Sequence, residues 1–116
     1  MVVDMEAQDH EQFRFYPVAK VSDVPNGERL FIEVDEEPVV IFNIGGEYFA
    51  IADVCTHDDG PLGKGELEGY EVVCPRHGAR FDIRTGGTLT LPAVVDIRIF
   101  QIRVSGDTIE IRVEKA

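Results

Sequence analysis

The stretch Val39-Val-Ile-Phe-Asn-Ile-Gly45-Gly46-Glu47-Tyr-Phe-Ala-Ile-Ala52 sets two apolar runs on either side of a glycine pair. Branched and aromatic side chains favour strands, and Gly-Gly between such runs signals a two-residue hairpin. Residues 39–44 are almost continuously apolar and read as a central strand. Residues 47–52 return from the turn. Towards the N-terminus, Asp35-Glu36-Glu37-Pro38 reads as a break, residues 29–34 as a strand, Val24-Pro25-Asn26-Gly27 as a turn, and residues 13–20 as a strand in which Pro17 marks an edge or irregularity. Residues 1–12 are polar, acidic and without periodicity, and read as a flexible tail.

Beyond Ala52 the chain enters Cys55-Thr56-His57-Asp58-Asp59-Gly60-Pro61-Leu62 and, after a spacer, Cys74-Pro75-Arg76-His77-Gly78-Ala79-Arg80-Phe81. Both cysteines and two of the three histidines of the chain lie here. Each loop offers one thiolate and one imidazole. Two such loops supply two sulfur and two nitrogen ligands, a set that suits a tetrahedral zinc or a two-iron cluster with histidines on one iron. Buried apolar cysteines are the commonplace alternative, but two Cys–His pairs, each in a Gly/Pro-rich loop after a short apolar run, argue for a metal. Zinc fingers usually group cysteines with cysteines and histidines with histidines. The mixing here suits two similar loops approaching a two-iron cluster from opposite sides.

Short strands are expected at residues 66–68, 71–73 and 80–83, forming with 47–52 a small meander that carries the two loops at one end. Arg84-Thr-Gly-Gly87 reads as a turn and Leu91-Pro92-Ala93 as a kinked loop. Residues 95–104 alternate, with the apolar face switching near Phe100, as a bulge or a strand that changes sheets would produce. Ser105-Gly106-Asp107 is a hairpin turn. Residues 108–113 form the last strand, with Ile109, Ile111 and Val113 on one face. No helical period persists over ten residues. The class is all-β, short strands closing into a sandwich or barrel.

With 116 residues the chain is one domain, spanning 13–116, with a cluster-binding part at about 53–93. Lys+Arg is 11 and Asp+Glu 22, a net charge of −11 that argues against nucleic acid or an anionic membrane as partner. No stretch approaches the ~18 apolar residues of a membrane span, and the acidic N-terminus lacks a signal-peptide core. A cytoplasmic location is the expectation, where cysteines serve as metal ligands more often than as a disulfide.

The cysteine–histidine pattern resembles that of the Rieske family: Cys-x-His, a spacer (here residues 58–73), then Cys-x-x-His. The resemblance runs over roughly residues 16–113 and extends to Gly60-Pro61-Leu62, Gly86-Gly87 and Leu91-Pro92-Ala93. It implies stacked antiparallel sheets with a small cluster-binding subdomain. It implies one [2Fe-2S] cluster, with Cys55 and Cys74 on the inner iron and His57 and His77 on the outer, solvent-facing iron. Leu91-Pro92-Ala93 then corresponds to the proline loop covering one side of the cluster.

Departures from the pattern narrow the role. Respiratory and photosynthetic members carry a disulfide-forming cysteine in each loop, where this chain has Gly60 and Arg76. They follow the second motif with a serine and a tyrosine, where this chain has Ala79 and Phe81. Hydroxyl donors stabilise the added negative charge of the reduced cluster. Each missing donor lowers the potential by roughly 60–130 mV, towards the low end of the Rieske range, about −150 mV. That fits a one-electron carrier between a flavin-dependent ferredoxin reductase and a terminal ring-hydroxylating oxygenase. It does not fit a quinol oxidase. An oxygenase site needs two more histidines and a carboxylate, and only His10 remains, so the chain is read as a carrier rather than an enzyme. Asp58, Asp59, Lys64 and Arg76 are candidates for a docking rim. The alternatives are a Rieske-like small subunit of a nitrite reductase complex and a structural zinc-binding interaction module.

Overall fold

The computed structural model describes residues 13–56, 60–89 and 95–114. The acidic segment 1–12, His57, Asp58, Asp59 and the Leu91-Pro92-Ala93 loop lie outside the described residues. The strands are β1 (Phe13–Lys20), β2 (Arg29–Val34), β3 (Glu37–Ile44), β4 (Glu47–Ala52), β5 (Leu67–Glu68), β6 (Glu71–Val73), β7 (Arg80–Asp82), β8 (Ile99–Phe100), β9 (Ile102–Ser105) and β10 (Thr108–Glu114). They form three antiparallel sheets, ordered β1-β10-β9, β2-β3-β4-β8 and β5-β6-β7. The all-β expectation holds. The one helical turn among the described residues is the unforeseen 3-10 segment Val21–Asp23, where Asp23 Oδ2 accepts from the Lys20 N–H at 2.9 Å.

The four-stranded sheet is the middle layer, and this explains the apolar run in β3. Successive side chains point to opposite faces. Val39 and Ile41 join Ala50, Phe100, Ile109 and Ile111 in a core shared with the β1-β10-β9 sheet. Val40 and Phe42 join Ile51, Leu62, Val72, Cys55, Cys74, Phe81 and Ile97 in a second core on the other face. A strand buried on both sides loses its polar alternation. The loop cysteines are thus part of a hydrophobic core that the middle sheet floors.

Three expectations need correction. The break at 35–38 is shorter than read: Asp35 and Glu36 alone make the turn, with φ of 54° and 67°, and Glu37 and Pro38 belong to β3. Pro38 is tolerated because it stands at the end of the β3–β4 ladder. Its carbonyl accepts from the Asp53 N–H at 2.9 Å, and only one bond is forfeited by its missing donor. The meander does not include β4. The Gly45-Gly46 hairpin places β4 on β3 and β8 takes its other edge, leaving three short strands in the small sheet. Finally, residues 95–104 are not one strand. Residues 95–98 lie outside any strand. β8 pairs with β4 and β9 with β10, on either side of Gln101, whose carbonyl accepts from the Arg112 N–H at 2.8 Å. The expected change of sheet occurs there. Small shifts at 66–68 and 80–83, to Leu67–Glu68 and Arg80–Asp82, are end effects.

Candidate metal centre

The two loops hang from the ends of β4 and β6. Each is closed in the same way: the Cys55 N–H donates to Gly60 O and the Cys74 N–H to Ala79 O, both at 2.7 Å, and both bridge from residue i to i+5. A donor bond closes each loop on its own cysteine and turns the thiol inward. Cys55 and Cys74 are unbridged and buried, at 0% and 1% exposure, and their side chains lie within hydrogen-bond reach of each other. His77 is exposed two residues beyond Pro75, on the outside of the second loop. The structure therefore brings together Cys55, Cys74 and the loop carrying His77, sulfur inside and imidazole outside. His57, which the sequence pairs with Cys55, lies outside the described residues, and the described residues form no group of three ligands by themselves.

Burial pushes the Cys74 thiol up, but the backbone N–H groups of Arg76 and His77, the Cys55 side chain and the Arg76 charge together bring it below the ordinary thiol value. Donors aimed at a sulfur favour the thiolate, which is the form that binds metal. Two buried thiols from separate loops, one backed by two amides, fit a sulfur-bound iron set in an apolar wall. Leu62, Val72, Ala79 and Phe81 supply that wall and are fully buried.

The first loop is held from outside by two residues that sequence reasoning missed. Asp53 Oδ1 accepts from the Leu62 N–H at 2.8 Å and the Gly63 N–H at 2.5 Å. An Asp opening a Gly/Pro-rich loop is a turn signal of the Asx type, so Asp53 was detectable. Arg29, on β2, was not, because its partners are far along the chain: Nη1 donates to Gly63 O at 2.5 Å and to Gly65 O at 2.7 Å. Burial pushes its pKa below the ordinary arginine value, and its guanidinium lies over the Phe42 ring at 5.0 Å. Beyond this point Gly65 presses so close to β6 that a Cβ would stand 1.8 Å from Val73 O. The Thr56 hydroxyl donates to Val95 O, tying the first loop to the segment that leads into β8. Of the suggested rim, Lys64 and Arg76 are exposed, whereas Asp58 and Asp59 lie outside the described residues.

A family model described as the Rieske [2Fe-2S] domain matches residues 14–101. The ferredoxin component of biphenyl 2,3-dioxygenase from Rhodococcus jostii is 39% identical over 97 residues, 84% of this chain and 91% of the relative. The ferredoxin subunit of 3-phenylpropionate/cinnamic acid dioxygenase from Escherichia coli is 41% identical over 98 residues, 83% of this chain and 91% of the relative. Among solved structures, the ferredoxin of carbazole 1,9a-dioxygenase from Nocardioides aromaticivorans superposes with a TM-score of 0.78 at 30% identity, covering 84% of this chain and 95% of that one. A ferredoxin chain solved in complex with the reduced oxygenase of carbazole 1,9a-dioxygenase gives a TM-score of 0.78 at 28% identity, covering 88% and 95%.

Proposed function

The chain belongs to the Rieske [2Fe-2S] domain family, and on that premise we propose that it is the ferredoxin component of a dioxygenase system. In this reading it carries one electron at a time from a flavin-dependent ferredoxin reductase to a terminal, ring-hydroxylating oxygenase, in the cytoplasm. Cys55 and Cys74 hold the inner iron of one [2Fe-2S] cluster, and His57 and His77 hold the outer iron. When bound, the cluster supplies the one-electron couple; the chain's own residues do the rest. Phe81, Leu62 and Val72 keep water from the sulfur side. The N–H groups of Arg76 and His77 favour the Cys74 thiolate. His77, exposed, gives a short route to a docked partner. No helix among the described residues is long and apolar enough to cross a membrane.

The observation that carries this reading is the convergence of two buried, unbridged thiols from two identically closed loops, with the second loop's histidine on the outside. The relatives named as ferredoxin components, aligned along more than nine-tenths of their own length, support the carrier role. Purified protein is expected to contain iron and acid-labile sulfide in equal amounts, to take up one electron from a flavin reductase, and to pass it to an aromatic-ring oxygenase. Colourless protein with one zinc and no sulfide would overturn it in favour of a zinc module.

A further inference from the structure

The two loops also meet through Arg76. Its Nη1 donates to Pro61 O at 2.8 Å, so a side chain of the second loop grips the backbone of the first. The guanidinium lies against Gly60: a Cβ there would stand 2.6 Å from Cζ and Nη2 and 3.0 Å from Nε. Gly60 is also the residue whose carbonyl receives the Cys55 N–H and closes the first loop. On its own side, Arg76 sits two residues after Cys74 and contributes its backbone N–H to that thiol. One residue is thus one step from each sulfur: through its amide to Cys74, and through Gly60 and Pro61 to Cys55.

We infer that Arg76 is a non-covalent staple between the two loops, a positioning residue that holds Cys55 and Cys74 in register, and that Gly60 lacks a side chain in order to seat it. The inference rests on the reading of Cys55, His57, Cys74 and His77 as a cluster site. The seat suits a planar guanidinium, which can lie flat on a Cα and donate from its edge. A lysine ammonium reaches one carbonyl but has no face to lay down.

The test uses holoprotein of the parent, Arg76→Met, Arg76→Lys, Gly60→Ala and the Gly60→Ala/Arg76→Met double variant. First-order loss of visible absorbance in excess iron chelator is followed in each, together with amide exchange at Cys55 in the holo and iron-free forms. Losing a charge-assisted bond, at the low end for an exposed pair, corresponds to about tenfold faster cluster release in Arg76→Met and in Gly60→Ala, with partial rescue by lysine. Because Gly60→Ala acts only by unseating the guanidinium, the double variant should release no faster than Arg76→Met, a coupling that a general loss of stability would not produce. Exchange at Cys55 should quicken in the same variants. Parent-like release by Arg76→Met, or effects that multiply in the double variant, overturns the staple. Should Arg76→Met fail to fold, Gly60→Ala and Arg76→Lys decide by the same two readouts. Iron-free parent protein would count against the cluster reading instead, and the exchange arm would still decide the staple.

Discussion

Replacing Arg29 by methionine keeps an apolar stem and removes two bonds from one nitrogen to Gly63 O and Gly65 O, at 2.5 and 2.7 Å. A hydrogen bond to a charged group contributes roughly 1.5–3 kcal/mol. The site is only part-buried, so the lower end applies to each. The contact with the Phe42 ring, at 5.0 Å, adds about 0.5 kcal/mol. The sum is about 3.5 kcal/mol, and it acts where the first loop returns to the middle sheet. At about 4 °C per kcal/mol for a domain of this size, loss of the cluster's visible absorbance on heating should move down by roughly 14 °C at a fixed scan rate. Arg29→Lys, able to reach one carbonyl, should lose about half of that. The sandwich core on the other face of the middle sheet does not touch this loop, so the far-ultraviolet transition should move less than the visible one. If Arg29→Met bleached within about 3 °C of the parent, the claim that this arginine anchors the loop would be refuted.

Other substitutions probe the remaining links. Ala79→Ser with Phe81→Tyr restores two hydroxyl donors and should raise the midpoint potential by roughly 60–130 mV for each; protein-film voltammetry showing no rise would remove the hydrogen-bond argument. Asp53→Ala leaves the Leu62 and Gly63 N–H groups without their acceptor and should hasten cluster release, whereas Asp53→Asn, whose amide oxygen still accepts, should restore most of the parent lifetime. Asp82 has its pKa lowered chiefly by the side-chain bonds from Arg84, against a smaller opposing effect of burial. A depressed folded-state value means its contribution is present above the unfolded value, about 3.9, and is lost as pH falls through the folded one. Denaturant melts between pH 5 and 2 should therefore show a steeper decline in the parent than in Asp82→Asn.

The parts of this molecule that sequence could show are those whose causes are local. The Gly45-Gly46 hairpin, the β1, β2 and β10 strands and the change of sheet near Phe100 follow from neighbouring residues. So does the nearly unbroken run Val39–Phe42, whose meaning is burial on both faces of one sheet. The paired Cys–His spacing singled out the loops, and the structure brings the two thiols together behind Leu62 and Phe81. What escaped depends on distant contacts. Pro38 looked like a strand breaker because nothing nearby says that its missing donor falls at a ladder's end. Arg29 looked like an ordinary strand residue because its acceptors lie 34 and 36 positions away. β4 reads as part of the small sheet because its continuity with Cys55 is visible in sequence, while its pairing with β8, Ala50 with Phe100 and Ile51 with Ile99, spans 50 and 48 positions and is not.

Arg76 and the pair Ala79 and Phe81 pull the potential in opposite directions, and magnitudes decide between them. A positive charge beside the second loop favours the added electron. Arg76 is exposed, however, and two unit charges about 4 Å apart in water interact by only about 1 kcal/mol, equivalent to about 40 mV for a one-electron couple. Salt reduces that further. The two absent hydroxyls together correspond to roughly 120–260 mV in the other direction, and they concern buried positions that salt does not reach. The low-potential reading therefore survives the presence of an arginine on the second loop, and the two effects separate by experiment. Arg76→Gln should lower the potential by no more than about 40 mV, less so at 1 M salt, whereas the shift produced by the hydroxyl pair should be the same at either ionic strength. An Arg76 effect exceeding that of the hydroxyl pair would mean that its charge acts through a dry path to the cluster, and that the second loop is closed to water in a way its exposed surface does not convey.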